Sequence, residues 1–283
     1  MSIVIAQVPT EIVVDPRRYM TMIHGIAGVG KTTWAKQIDG HYFLQTEIGT
    51  EGVSVFANPV LDWGEFNESC KKIIEQKARG WKDEEDKPVR EIKTLVVDRF
   101  ELLYDYCGTY LCETTTFPEG GVQLKFDRVE DVPWGKGYNR ANRLMIASLN
   151  KLMLLGFGIV LICQTNERPV KWRGQDMQKH EPMLPPKACK EIVATCGAVG
   201  HFVIEQVTKK NAEGQVYVEK EDRWSFWQPT FLRVAKHRLV HFPERVALNR
   251  MTMYDDYLEE FQKALVLGEE EKRAKEGGEN DLT

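Results

Sequence analysis

The sequence lacks the features of a membrane or a secreted protein. It contains no run of about eighteen apolar residues, which excludes a membrane-spanning helix. Its first residues carry no basic segment followed by a long apolar stretch, so we expect no secretory signal. The sequence therefore predicts a cytoplasmic protein with no membrane partner.

Cysteine pairs and a strong net charge are also missing. The six cysteines are scattered and form no C-x-x-C pair, so we expect free, buried thiols rather than zinc ligands or disulfides. The net charge of −4 at pH 7 excludes a surface that is basic throughout. Any site for nucleic acid must therefore be local.

Short apolar runs alternate with helical patterns over the first two thirds of the chain. Such alternation is typical of an α/β fold in which buried parallel strands are joined by helices. Helical spacing of apolar residues occurs over 63–77, and 139–155 has the pattern of a long helix. The predicted parallel strands are 19–24, 42–45, 94–98 and 158–163.

The last third of the chain changes character. Three further strand patterns surround a turn at 211–214, which predicts a more antiparallel extension of the sheet. An amphipathic helix is expected over 254–267. Residues 268–283 have almost no apolar content, so we expect one domain over residues 1–267 and a disordered charged tail after it. The three strand patterns are 199–207, 215–219 and 230–235.

The strand at 19–24 leads into a phosphate-binding motif. Gly25 to Thr32 fits the pattern G-x-x-x-x-G-K-[ST], and a helix pattern follows it. Glycines let several backbone N–H groups point at one anion, the lysine reaches the β- and γ-phosphates, and the hydroxyl ligates Mg²⁺. We therefore expect ATP and Mg²⁺ as cofactors. The expected nucleotide-binding residues are Gly25, Gly28, Val29, Gly30, Lys31, Thr32 and Thr33.

A second acidic residue is needed for the metal, and the strand 94–98 supplies it. Asp98 ends this apolar run and should emerge beside the motif. Thr32 and Asp98 are therefore the predicted Mg²⁺ ligands. The competing interpretation is that Asp98 caps the helix that starts near Phe100.

Two strand ends carry candidates for contact with the γ-phosphate. Glu47 follows the strand 42–45 and could orient the attacking water, although Glu51 lies four residues later and both could be solvated loop residues. Gln164 follows the strand 158–163, where a polar amide can contact the γ-phosphate. A simple turn contact or solvent exposure would explain Gln164 equally well.

These residues, in this order, resemble the RecA-core ATPases, and among them the phage nucleotide-binding proteins of the AAA_24 type, which include Sak-type single-strand-annealing ATPases. The resemblance covers roughly residues 19–240. Gln164 departs from it, since the family often has histidine there, and residues 109–130 are longer than the minimal core. The matching elements are the phosphate motif with its short spacing to Glu47, the strand 94–98, the G-K-G-Y segment within 131–138, the strand 159–164, the segment 182–187 and the basic segment 234–238.

The resemblance implies a RecA-like core that assembles into a ring or a filament. Lys236 and Arg238 would then enter the active site of a neighbouring subunit and stabilise charge on the γ-phosphate. An exposed basic strand end is the alternative. A phage origin would place the protein in the cytoplasm of a bacterial host.

The stretch 165–190 follows Gln164, where RecA-like cores place a DNA-binding loop. It is rich in cations and contains an aromatic side chain, so it could hold a phosphate backbone and stack one base of single-stranded DNA. A solvated charged loop is the alternative. The candidate DNA-binding residues are Arg168, Lys171, Trp172, Arg173 and Lys179.

Our interpretation is a RecA-like P-loop ATPase that binds single-stranded DNA in phage-type recombination or replication, stimulated by DNA and by self-association. A single-strand-binding protein is a further candidate partner. One alternative is an ATP-dependent adaptor or helicase-loader-like scaffold with little hydrolysis. The others are a small-molecule P-loop kinase and, less favoured, a fragment of a packaging motor.

Overall fold

The computed structural model describes residues 14–47, 54–211 and 215–279. Its strands are β1 (Met20–Gly25), β2 (His41–Gln45), β3 (Ala57–Pro59), β4 (Thr94–Asp98), β5 (Phe117–Glu119), β6 (Val122–Leu124), β7 (Gly158–Trp172), β8 (Gln175–Pro182), β9 (Ala198–Lys210), β10 (Val216–Phe226), β11 (Lys236–His237) and β12 (Arg245–Ala247). Its α-helices are α1 (Lys31–Lys36), α2 (Trp63–Ala78), α3 (Phe100–Thr114), α4 (Lys136–Leu154), α5 (Pro186–Thr195) and α6 (Met253–Glu279). Short 3₁₀ turns cover Pro16–Arg18, Val129–Asp131 and Pro133–Gly135.

One ten-stranded sheet contains the described strands other than β5 and β6, which pair with each other. Its order is β12-β10-β9-β1-β7-β4-β2-β3, with β8 added to β7 and β11 added to β9. The strands from β9 to β3 are mutually parallel, whereas β8, β10, β11 and β12 pair antiparallel. The predicted α/β class, with a mostly parallel sheet and a more antiparallel C-terminal part, is confirmed.

Helices cover both faces of the sheet. One buried cluster joins one face of the central strands to α2, α3, α4 and α5, and a second joins the opposite face to α1 and α6. Neighbouring residues of β1 divide between the two, since Met22 packs in the first cluster and Ile23 in the second. Trp34 of α1, Trp227 and Tyr257 of α6 make edge and tilted ring contacts in the second cluster. The end of β1 is therefore enclosed on both faces.

Two β-hairpins project beyond the carboxyl end of β1. Gly25, the last residue of β1, pairs with Gln164 of β7 and Phe202 of β9, and both of these strands continue past it. The extension of β7 pairs with β8 and that of β9 pairs with β10. Residues 165–182, part of the stretch 165–190 expected to be a loop, are thus an ordered hairpin, because β8 satisfies the backbone groups of extended β7.

Two further expectations about the C-terminal third are wrong. Residues 230–235 form no strand; Thr230 and Arg233 close a tight turn on each other, and the pairing strand is β11. Helix α6 does not end at Leu267 but continues to Glu279. The composition of this last part, rich in Glu, Lys, Arg and Ala, is a good helix former, and His241 holds Glu271 at 2.9 Å. Residues 280–283 of the predicted tail lie outside the described part.

Close packing requires one of the two glycines in the G-K-G-Y segment. Gly137 lies in the first turn of α4, where a Cβ atom would lie 2.2 Å from the carbonyl oxygen of Val129. That oxygen belongs to a backbone turn and cannot move aside easily. The short turn Val129–Asp131 therefore reaches α4 only because residue 137 has no side chain.

All six cysteines are buried and unpaired, as the sequence predicts. Across the three described stretches of chain, none of the helices combines the length and the apolar character needed to cross a bilayer.

We predict that Gly137→Ala lowers the free energy of unfolding by about 1–3 kcal/mol, because the methyl group overpacks the contact with Val129. Gly268→Ala is the matched control, since its nearest heavy atom, in His241, is 3.9 Å from the added Cβ. This second change should stabilise the helix by up to about 1 kcal/mol. Urea denaturation measures both, and equal stabilities of the two variants would contradict the packing argument.

Candidate nucleotide-binding site

The phosphate motif forms a tight loop between β1 and α1. Gly28 and Gly30 have φ values of 75° and 115°, which favour glycine. At Gly25 a Cβ atom would lie 2.5 Å from the carbonyl oxygen of Phe202, so this position needs glycine because of a close approach. Val29 is fully buried, and Thr32 and Thr33 lie in α1. The loop thus has the form expected of a phosphate cradle.

Lys31 is folded back onto the loop. It is only 9% exposed, and its Nζ donates hydrogen bonds to the carbonyl oxygens of Gly25 at 2.7 Å and Ile26 at 2.8 Å. Burial lowers the pKa of Lys31, while the nearby carboxylates of Asp98 and Glu101 oppose that shift. A bound phosphate would offer this ammonium group a charged acceptor in place of two carbonyls.

Thr32 and Asp98 meet as the sequence predicts. The Thr32 hydroxyl donates to Oδ2 of Asp98 at 2.8 Å. Asp98 does not cap α3, whose N-cap residue is Arg99 without a side-chain cap. Burial raises the pKa of Asp98 to about 6, against the opposing hydrogen bond from Thr32. A hydroxyl and a carboxylate side by side form an oxygen donor set that fits Mg²⁺.

Glu47 is held by an arginine that the sequence analysis does not identify. Arg99 donates from Nη1 to Glu47 at 2.9 Å and from Nε to Glu101 at 2.9 Å. Glu47 lies at the site as predicted, but its carboxylate is paired rather than free. The alternative base, Glu51, lies outside the described residues.

Glu101 is a second residue that the sequence analysis missed. It is 6% exposed; its Oε1 accepts the backbone N–H of Gln164 at 3.1 Å, and its Oε2 is buried without a hydrogen-bond partner. The sequence feature that could have identified Glu101 is its position three residues after Asp98, in the first turn of α3. Glu101 links Arg99 to Gln164 of β7.

These side chains surround one cavity of about 200 Å³. It opens where the parallel strands end, the usual position of ligand sites in such sheets. Its lining residues are Ala27, Gly28, Lys31, Thr32, Gln45, Glu47, Asp98, Arg99 and Gln164.

Lys236 has a different contact from the one expected. Its Nζ donates to the carbonyl oxygens of Val193, Ala194 and Cys196, at 3.3, 2.9 and 2.6 Å, and so caps the C-terminus of α5. Arg238 is exposed, and its backbone N–H donates to Gly197 at the start of β9, the opposite end of the sheet from the phosphate loop. Neither residue reaches the phosphate site of its own chain.

The candidate DNA-binding residues divide into two groups. Arg168 and Lys179 both pair with the buried carboxylate of Glu181, at 2.9 and 3.5 Å, so one of their two positive charges is compensated. At the tip, Lys171, Trp172 and Arg173 are exposed. The tip residues are the part of the predicted set that remains available to a ligand.

A stack of three histidine rings lies beneath the phosphate loop. His201 of β9 stacks between His24 of β1 at 4.6 Å and His180 of β8 at 5.2 Å. His24 is anchored by Thr165 and by the carbonyl of Val234, each at 2.8 Å. Burial lowers the pKa of His24 to about 4 and that of His201 still further. The stack joins β1 to the bases of both hairpins.

Comparison with known proteins identifies a family and two distant structural relatives. The AAA_24 model, described as an AAA domain, matches residues 17–241. A KaiC-like protein from Pyrococcus horikoshii OT3 has a TM-score of 0.40 and 12% identity, with 81% of this chain and 84% of that chain covered. The flagellar accessory protein FlaH from Methanocaldococcus jannaschii has a TM-score of 0.39 and 8% identity, with the same coverages. A comparison with curated protein sequences finds no match.

The two structural likenesses are too distant to assign an activity. The family match spans the phosphate loop, the strand that ends in Asp98 and the two hairpins. Together with the sheet order, it confirms an α/β core of the AAA-domain type that carries a P-loop and has an antiparallel C-terminal extension.

We predict that acid destabilises the folded protein between about pH 6.5 and pH 4, because the buried histidines bind protons only after unfolding. Their folded pKa values are depressed, so the stability they contribute is present above the unfolded pKa and is lost as the pH falls. His201→Phe keeps a stacking ring but removes one group that binds a proton on unfolding. The slope of the free energy of unfolding against pH should therefore fall by about 1.4 kcal/mol per pH unit. Urea denaturation across this range measures it; an unchanged slope would mean that His201 is already charged when folded.

Proposed function

Because this chain belongs to the AAA_24 family of AAA domains, we propose that it binds and hydrolyses ATP with Mg²⁺ and couples this activity to single-stranded DNA. The cellular process we propose is recombination or replication of the phage type. The observation that carries the proposal is the meeting of Lys31, Thr32 and Asp98 in one cavity at the strand ends.

Each group of the chain has a task in this mechanism. The backbone of the phosphate loop and the Lys31 ammonium group bind the β- and γ-phosphates. Thr32 and Asp98 would hold Mg²⁺, which supplies positive charge to the phosphate oxygens. Gln164 lines the cavity beyond them and is our candidate for contact with the γ-phosphate.

The ion pair of Glu47 with Arg99 supports a slow basal reaction. A carboxylate that already accepts a guanidinium is a weak base for a water molecule. For Glu47 to orient water, Arg99 must turn away, for example toward the phosphates. Assembly with a second copy is the event that we propose for this step, with Arg238 as the candidate residue contributed across the interface.

The tip of the β7–β8 hairpin supports a site for single-stranded DNA. Trp172 is 41% exposed and lies against Phe231, with ring centroids 4.2 Å apart. Lys171 and Arg173 flank it with positive charge. Exposed aromatic rings beside cations are suited to stacking bases and holding phosphates without sequence preference. Gln164 lies in the same strand, β7, at the base of this hairpin. A nucleotide at Gln164 and DNA at Trp172 would therefore contact the same strand.

We predict that wild-type ATP hydrolysis rises with long single-stranded DNA and rises more than linearly with protein concentration. Lys31→Ala should abolish turnover, because the charge that binds the phosphates is lost. A phosphate-release assay over a range of protein concentrations measures both. Turnover that ignores DNA and scales linearly with protein would overturn the coupling. Tight ATP binding without turnover would favour the adaptor, and a phosphorylated small molecule would favour the kinase.

We predict that Trp172→Ala weakens binding of fluorescently labelled oligo-dT about tenfold, because one base loses its stacking surface. Tyr217→Ala is the comparison variant, since Tyr217 is 48% exposed on the β9–β10 hairpin. Fluorescence anisotropy at fixed salt gives both affinities. If Tyr217→Ala weakens binding and Trp172→Ala does not, the DNA site has been assigned to the wrong hairpin.

A further inference from the structure

The phosphate loop is touched by a cation from the distant C-terminal extension. Arg223 of β10 donates a hydrogen bond from Nη1 to the carbonyl oxygen of Gly28, at 2.7 Å. Gly28 is the exposed glycine in the middle of the phosphate motif and lines the nucleotide cavity. The guanidinium group is therefore in direct contact with one of the residues that line that cavity.

The backbone of Arg223 is held from two sides. It pairs with Ile204 in the ladder between β10 and β9, and its carbonyl oxygen accepts the N–H of Leu248 at 2.8 Å. Arg223 is thus part of the sheet and not a residue of a loose surface loop. Its side chain lies on the same face of β10 as Ser225, which is buried on the side covered by α6.

Within the described part of the chain, Arg223 has no carboxylate partner, unlike Arg99, which lines the cavity. Lys31 is bound by two loop carbonyls, and Arg99 is bound by two carboxylates. Over the described ranges of the chain, no carboxylate lies within 4.0 Å of the Arg223 guanidinium. The neighbouring Arg245, by contrast, faces Glu205 at 3.8 Å.

We propose that Arg223 is a nucleotide-binding residue, which contacts a phosphate oxygen of the nucleoside triphosphate held in the phosphate loop. A guanidinium has five N–H donors and only one is used on Gly28, so the others can reach a phosphate while the loop contact stays in place. The proposal rests on the proposed ATP binding and adds to it a cation from the same chain. It also joins the nucleotide to the β9–β10 hairpin.

A purely structural role for Arg223 predicts a different salt dependence of nucleotide binding in variants that lack this arginine. If it only supports the loop through Gly28, its loss weakens nucleotide binding by the same factor at every salt concentration. If the guanidinium instead contacts a phosphate, salt screens the attraction between these two charges. Removing the guanidinium then makes the affinity for ATP less dependent on salt. The salt dependence of binding therefore separates the two roles.

The test is binding of a fluorescent ATP analogue to Arg223→Met and Arg223→Lys at several salt concentrations. We expect Arg223→Met to weaken binding about tenfold or more at low salt, with a shallower salt dependence. Arg223→Lys should recover most of the affinity, because it restores the charge. Arg245→Met is the matched control, an arginine on the next strand that does not touch the loop.

The outcomes separate this inference from the proposed function. If the wild type does not bind the analogue at all, ATP binding itself is overturned. If the wild type binds, Lys31→Ala does not, and Arg223→Met equals the wild type, only the role of Arg223 is overturned. Weaker binding with an unchanged salt dependence and no recovery by lysine would assign Arg223 to loop support and also overturn the proposal.

Discussion

The parallel pairing of β1 with β7 on one side and β9 on the other determines where the functional groups of this protein lie. It brings the last residue of β1 beside Gln164 of β7 and Phe202 of β9, and Gly25 there approaches Phe202 too closely for any side chain. The phosphate loop turns at that point, and the two neighbouring strands continue past it as hairpins. Nucleotide site and hairpins are therefore parts of one continuous sheet.

The groups that would act on a nucleotide are bound to one another in this structure. Lys31 binds its own loop, Thr32 binds Asp98, and Arg99 links Glu47 to Glu101. Buried polar groups without partners cost free energy, so such mutual contacts stabilise the site before ligand arrives. Binding of a nucleotide would then exchange these contacts for contacts with phosphate.

Cations with a similar appearance in the sequence have different surroundings in the fold. Lys236 caps a helix, and Arg168 shares Glu181 with Lys179. Arg223 belongs to no sequence motif, yet it contacts the phosphate loop at Gly28, and it has no carboxylate partner among the described residues. A count of basic residues along a segment cannot distinguish these cases, because the energy of a charge depends on burial and on partners from distant parts of the chain.

The sequence by itself determined the phosphate loop, the strand ending in Asp98 and the α/β class, because glycine spacing, apolar runs and helical periodicity act over a few neighbouring residues. The tertiary structure alone decided that residues 165–182 form a hairpin, that α6 passes Leu267, and that Glu47 is paired. It alone also brought Arg223 to Gly28, a contact between residues 195 positions apart. Such contacts depend on how whole strands are ordered in the sheet, and no local pattern records that order.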